Sequence, residues 1–321
     1  MIDAPFRADA AVAARLAELG SRIGAAVEAD VTTLVSAPPA AGSLDGSTVP
    51  AREVARLVAR HSLASERELA LLALPVAAAM ARAPISGYRV AAIGIEAESG
   101  DLVLGANLEL PGTDLGTTVH AEGFVALRAR RRGRTLETLA VREAHPCAHC
   151  RQTLSEAESA DRLEIIDPLG HELTLGELYP WPFRPAALGV PGDRPEAAGW
   201  TDLAFVAGAP PADIAGVLLE AGRRAHAPYS GAPSAVALRL GDGRVVSAGC
   251  VESVAFNPTL TAFQAALVEL VAAQGATGDI THAWLGRSIG GPVDPAPAFQ
   301  ALLAAVAPAA EARVLDWRTG E

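Results

Sequence analysis

The chain repeats itself, and that restricts its architecture more than any other feature. "RAPISGYRVAAIGIEAESGDLVLGANLE" (82–109) aligns with "HAPYSGAPSAVALRLGDGRVVSAGCVE" (226–252) at the cost of one inserted residue. Both copies carry Ala-Pro-x-Ser-Gly, an alternating apolar stretch, a Gly-centred turn and a closing Glu. Period-two alternation around a turn predicts a strand pair, so each copy begins as a hairpin. A chain of 321 residues exceeds what one core usually organises, which fits two related halves. After the first hairpin the pattern predicts a helix over 118–132, a strand at "TLETLAVREA", a helix from Cys147 to about Ala157 and a strand at "LEIIDP". Strands alternating with helices predict a sheet covered by helices. Ahead of the repeat, residues 8–28 and "STVPAREVARLVARHS" read as amphipathic helices, the second with Ser47 or Thr48 near its start. The expected organisation is a helical region over 1–62, a first α/β domain over 63–180, a Pro/Gly-rich linker over 181–200 and a second α/β domain over 201–321.

Composition removes several classes of function. The net charge of −11 argues against a nucleic-acid binder. The run "LRARRRGR" (127–134) is expected to be a solvated helix end whose arginines complement the helix dipole. All 26 basic residues are arginine, so neither a Schiff-base lysine nor a P-loop lysine is available. The apolar run Leu69–Ala81 is too short to span a bilayer and contains Pro75, and the first 30 residues lack a signal-peptide pattern, so neither membrane nor export is expected. Three cysteines, two of them only three apart, suggest a reducing, cytoplasmic setting.

The chemistry concentrates in "VHAEGF" and "HPCAHC". Cys147 and Cys150, spaced C-x-x-C at a predicted helix start, can share one metal ion. His120 is the best third ligand, which leaves a fourth position open as a catalytic zinc site requires. A redox pair, or a closed knuckle using His145 or His149, would leave Glu122 without a task. The second copy reads "PTLTAFQ" where the first has "TVHAE", with no cysteine after it, so one zinc per chain is expected. His61, His171, His226 and His282 stand alone and read as ordinary surface or core residues.

H-x-E followed some 25 positions later by P-C-x-x-C is the signature of zinc deaminases. With "GANLELPGT", "TVHAE", "PCAHCRQTL" and, in the second half, "HAPYSGAPSAVAL" and "VAFNPTL", the chain resembles the cytidine deaminases, specifically the two-domain bacterial type. The resemblance implies a three-layer α/β/α sandwich in each half, a small helical N-terminal region, and a second half that has lost its metal site. It implies zinc on His120, Cys147 and Cys150, with Glu122 as the proton carrier. Asn107 and Glu109 would hold the ribose, Tyr88 would line the base, and main chain at Ala121 and Pro146 would orient its amide edge. It also implies a homodimer in which Val254 and Phe256 reach the partner's pocket. A buried Glu109 carboxylate would repel phosphate, favouring a free nucleoside. His145, Tyr88 and Ala91 depart from the usual pattern beside the base. They keep open a modified cytosine nucleoside or a cytosine-containing natural product as substrate, and a non-catalytic zinc-binding interaction protein is the other alternative.

Overall fold

The computed structural model describes residues 8–36, 39, 43, 45–142, 145–195 and 199–319. Helix α1 (Ala10–Val35) starts where the Asp9 carboxylate accepts the N–H groups of Ala11 and Val12. Its buried stripe continues through Val31 and Val35, which carries it beyond the expected end at 28. Strand β1 (Thr48–Val49) absorbs Thr48, so helix α2 (Ala51–Arg60) begins later than expected. Its cap comes from a distance: the Asp101 carboxylate accepts the Ala51 N–H at 2.8 Å, which no local pattern announces. Helix α3 (Glu66–Ala79) is followed by β2 (Ala91–Glu96), β3 (Leu102–Ala106), α4 (Ala121–Arg131), β4 (Leu136–Val141), α5 (Ala148–Leu154), β5 (Glu164–Ile166), β6 (Glu172–Thr174) and the short α6 (Leu175–Leu178).

These strands form one sheet in the order β1-β3-β2-β4-β5-β6, antiparallel except for the parallel pair β4/β5. Alternate residues face opposite layers. Ile93, Ile95, Leu102 and Leu104 pack with α3, while Ala92, Val103, Leu139 and Ile165 pack with Ala121 and Val125 of α4 and Leu154 of α5. The first half is therefore a helix–sheet–helix sandwich.

The second half contains β7 (Ala204–Phe205), α7 (Ala212–Arg223), β8 (Ser234–Leu240), β9 (Val245–Gly249), α8 (Ala262–Ala272), β10 (Ile280–Ser288), α9 (Ala296–Val306) and β11 (Glu311–Arg318). Its sheet runs β7-β11-β10-β8-β9, with only β10/β11 parallel. Strands β9-β8-β10-β11 thus repeat β3-β2-β4-β5 in order and direction. The repeat extends to single bonds. Ser86 Oγ donates to Glu109 Oε1 and the N–H groups of Ile85 and Ser86 donate to its Oε2; Ser230, Tyr229 and Glu252 reproduce all three bonds.

The run 127–134 is not a solvated helix end. The side chain of Arg128 is 1 % exposed and pairs with Glu269 on α8, Arg130 pairs with Asp193, Arg131 with Glu220 on α7, and Arg132 with Glu96 and Asp101. Guanidinium groups buried at a junction need carboxylates, and the second half and the linker supply several of them. One apolar cluster runs through both halves, joining Leu69, Ile93 and Phe124 to Val236, Leu267 and Phe299. Among the described residues no helix is long and apolar enough to cross a membrane.

Candidate metal centre

Two helix starts build the centre. His120 immediately precedes α4 and Cys147 immediately precedes α5, while Cys150 sits in the first turn of α5. His120 Nδ1 lies 3.5 Å from Cys147 Sγ and 3.4 Å from Cys150 Sγ, and the two sulfurs are 3.6 Å apart. These three atoms suit a small, thiophilic cation with a tetrahedral preference, and three protein donors leave one position for water or substrate. His149 faces the other way, its Nε2 3.3 Å from the carbonyl oxygen of Asn257, and takes no part.

The thiols are electrostatically unequal. Bonding from Cys150 and then from His120, with the N-terminal end of α5 beside it, lowers the Cys147 pKa to about 3. Cys150, which donates to Cys147 and is buried, is pushed up. Hydrogen bonding to Cys147 raises His120. A divalent cation would be needed to hold both sulfurs as thiolates.

Glu122 lies in the first turn of α4, 5 % exposed, and its burial raises the carboxyl above the ordinary range. A carboxyl tuned upward in this way is suited both to take and to return a proton. Ala121 is fully buried between it and His120. Gly105 of β3 makes this packing possible, since a Cβ there would meet the Ala121 carbonyl oxygen at 2.9 Å and Val125 Cγ2 at 2.7 Å.

The remaining expected residues divide. Asn107 is buried, and its amide accepts from Val90 N–H and donates to the Tyr88 carbonyl, which fixes the loop ahead of β2. Glu109 is only half-buried, contrary to expectation. Desolvation raises its pKa, but the Ser86 hydroxyl and the N–H groups of Ser86 and Ile85 outweigh this and hold it below the usual range. Tyr88 is 55 % exposed. Pro146 is buried, and its carbonyl already accepts from Arg151 Nε at 2.6 Å. Phe256 is 63 % exposed at a left-handed backbone position, φ +62°. Val254, expected beside it facing another subunit, is instead buried in its own chain, where its N–H donates to Glu156. A cavity of about 720 Å³ opens beside Glu109 and is lined by Pro84, Leu108, Glu109, Leu267 and Val271 among others.

Some contributors were not anticipated. Ser86, which holds Glu109, was visible in the shared Ala-Pro-x-Ser-Gly but was assigned no task. His226 is no ordinary histidine: it bridges Asp193 at 3.1 Å and Glu156 at 3.4 Å, and Tyr229 donates to the same Glu156. Its partners lie 33 and 70 positions away, beyond any local pattern.

The comparisons place this geometry. A model of the cytidine and deoxycytidylate deaminase zinc-binding region matches residues 65–164, and a second model of that region matches 209–294. The chain belongs to the cytidine deaminase family. A curated cytidine deaminase of Vibrio parahaemolyticus is 35% identical over 82% of this chain and 87% of that protein; one of Sodalis glossinidius is 37% identical over 75% and 81%. Among solved structures, cytidine deaminase from Mycobacterium tuberculosis aligns with 34% of this chain and 90% of its own, at 31% identity and a TM-score of 0.31. The metal of this deaminase is zinc, in keeping with the family model's zinc-binding region and the His/Cys/Cys donor set. Among the described residues the second half holds no such set.

Proposed function

We propose that the chain hydrolytically deaminates cytidine or deoxycytidine, releasing ammonia, with His120, Cys147 and Cys150 holding one zinc ion and Glu122 carrying protons. The observation that carries this reading is the placement of a buried, upward-tuned carboxyl two residues from a metal ligand at the same helix start. Zinc held there supplies Lewis acidity able to lower the pKa of a water from 15.7 to roughly 7. Glu122 would accept the water's proton and deliver it to ring N3 so that C4 becomes electrophilic; hydroxide adds to C4, and Glu122 carries the proton of the new C4 hydroxyl to the amine, so that the C4–N bond breaks, ammonia leaves and a C4 carbonyl remains.

Asn107 and Glu109 meet the sugar. Asn107 is already immobilised by the Tyr88–Val90 backbone, and Glu109 is held as a carboxylate by Ser86, which disfavours a phosphorylated sugar by charge. Because the Pro146 carbonyl is engaged by Arg151, the main chain there acts chiefly by fixing the start of α5, and the base's amide edge falls to the Ala121 backbone. The open centre and the exposed Tyr88 and Phe256 support a homodimer in which Phe256 closes the partner's pocket. The three free thiols support a reducing, cytoplasmic setting.

Ammonia release from cytidine, deoxycytidine, 5-substituted cytidines and adenosine, compared between wild type and Glu122→Ala, tests this function. Activity on cytosine nucleosides that disappears in the variant is expected. Equal rates from the two proteins would overturn the mechanism, and activity confined to adenosine would overturn the substrate. The shared pocket is tested by mixing inactive Glu122→Ala and Phe256→Ala proteins: recovered activity supports the partner's contribution, and none would refute it.

A further inference from the structure

A second group of side chains of metal-ligating type lies outside the deaminase centre. Asp167, directly after β5, His171 in the following turn, and His145, two residues before Cys147, converge on one point. Asp167 Oδ2 lies 3.0 Å from His145 Nε2 and 2.7 Å from His171 Nδ1. The imidazole rings stand edge to face at 77°, their centroids 5.0 Å apart, so both nitrogens aim at the same oxygen without stacking.

We propose that His145, Asp167 and His171 form a binding site for a divalent transition-metal ion, distinct from the zinc centre. The donor set is two imidazoles and one carboxylate, the combination that suits Zn²⁺, Co²⁺, Ni²⁺ or Fe²⁺ and is unsuited to Ca²⁺ or Mg²⁺. Metal–ligand bonds of about 2.0–2.2 Å at right angles put neighbouring donors about 2.9 Å apart, whereas a tetrahedral site puts them about 3.4 Å apart. The observed Asp167–His171 and Asp167–His145 separations of 2.7 and 3.0 Å match the first spacing, and all three donor atoms lie within 4.8 Å of one another.

The carboxylate is oriented in advance. Asp167 Oδ1 accepts the N–H groups of Leu169 at 2.9 Å and His171 at 3.0 Å, which leaves Oδ2 to face the two rings. Such support is what a metal-ligating carboxylate requires. Solvent reaches the group, since the side chains are 26 % (His145), 19 % (His171) and 9 % (Asp167) exposed. The location follows from topology too: the group stands at the carboxyl ends of the parallel pair β4/β5, where loops from adjacent strands meet and α/β sheets gather their ligands. Without the ion, both rings donate N–H to Oδ2. With it, each neutral ring carries its proton on the far nitrogen, so the exchange is one of tautomers.

Metal-free protein, prepared with a chelator under reducing conditions, is titrated with Co²⁺ in equilibrium dialysis while thiolate-to-cobalt absorption is recorded. Two equivalents per chain are expected, with the thiolate band saturating at one. His171→Ala and Asp167→Asn should bind one equivalent and keep the band; Cys150→Ala should bind one and lose it. Wild type saturating at one equivalent in total, with the thiolate band complete, would overturn the proposal, as would His171→Ala and Asp167→Asn both retaining two. Loss of the thiolate band in wild type would strike at the deaminase centre instead, so the two assignments fail separately.

Discussion

His120 and Thr261 occupy the same place in the two halves. Each follows the residue that closes an equivalent bridge, Leu108 with Val119 and Val251 with Leu260, and each immediately precedes its helix. Thr261 caps α8, its side chain accepting the Gln264 N–H while Gln264 reaches back in a capping box; His120 makes no such bond to α4. Two positions on, the buried Phe263 stands where Glu122 would be. The first half gives up a cap to present a ligand, and the second half has taken the cap.

Thr261→Ala should therefore cost about 1 kcal/mol and lower the midpoint of thermal unfolding by roughly 2–4 °C. His120→Ala, compared with wild type in metal-free form, should leave the midpoint nearly unchanged while losing the zinc held with Cys147 and Cys150. Calorimetry of the two variants with and without zinc checks the contrast.

Glu122→Gln preserves shape and removes the proton carrier. A fall in kcat of about 10²–10⁴-fold is expected with zinc content unchanged. Steady-state kinetics together with metal analysis checks both halves of this statement, and a variant that loses its zinc would place Glu122 among the ligands.

Gly94 and Gly105 both lie under α4, but a methyl group meets different atoms at each. At Gly94 it meets the ends of the Val125 and Leu136 side chains, whereas at Gly105 it also meets the Ala121 carbonyl oxygen between His120 and Glu122. Each alanine substitution should cost about 1–3 kcal/mol. Only Gly105→Ala should speed zinc loss to a chelator, measured at a temperature where both variants are folded.

Stability should depend on pH through His226 and Asp193. Burial opposes charge on His226, but Asp193 and Glu156 prevail and raise its pKa. Its contribution is complete below the unfolded value near 6.5 and is lost as pH rises through the raised folded value. Asp193 is desolvated, yet His226 and Arg130 bring it down to about 2. Its contribution is complete above the unfolded value near 3.8, is lost as pH falls through about 2, and amounts to something on the order of 2 kcal/mol. Urea unfolding from pH 5 to 9 should show wild type weakening over the upper part of that range, and His226→Gln should remove that slope.

Much of this was legible because it is local or repeated. The strand pairs, the two helix starts, C-x-x-C and H-x-E are short patterns set by backbone periodicity and helix-end chemistry, and the duplicated hairpin announced the β2/β3 and β8/β9 pairings. What was not legible depends on distant partners. The arginines of 127–134 read as solvated because the sequence does not show Glu269, Asp193 and Glu220 waiting across the junction. His171 looked isolated because a turn after β5 is needed to bring it to Asp167 and His145. The partial exposure of Glu109 and the bond from the Val254 N–H to Glu156, 98 positions away, are likewise set by the tertiary structure and have no local pattern.

Arg128 and Glu269 join α4 to α8, the two helices descended from one position in the repeat. The helix that carries His120 and Glu122 thus leans on its own structural copy. Where the first half places Glu122, that copy places the buried Phe263, a side chain that answers only to packing. A change on the face of α8 that meets α4 therefore reaches the helix that carries His120 and Glu122 from the far half of the chain, through the Arg128–Glu269 pair.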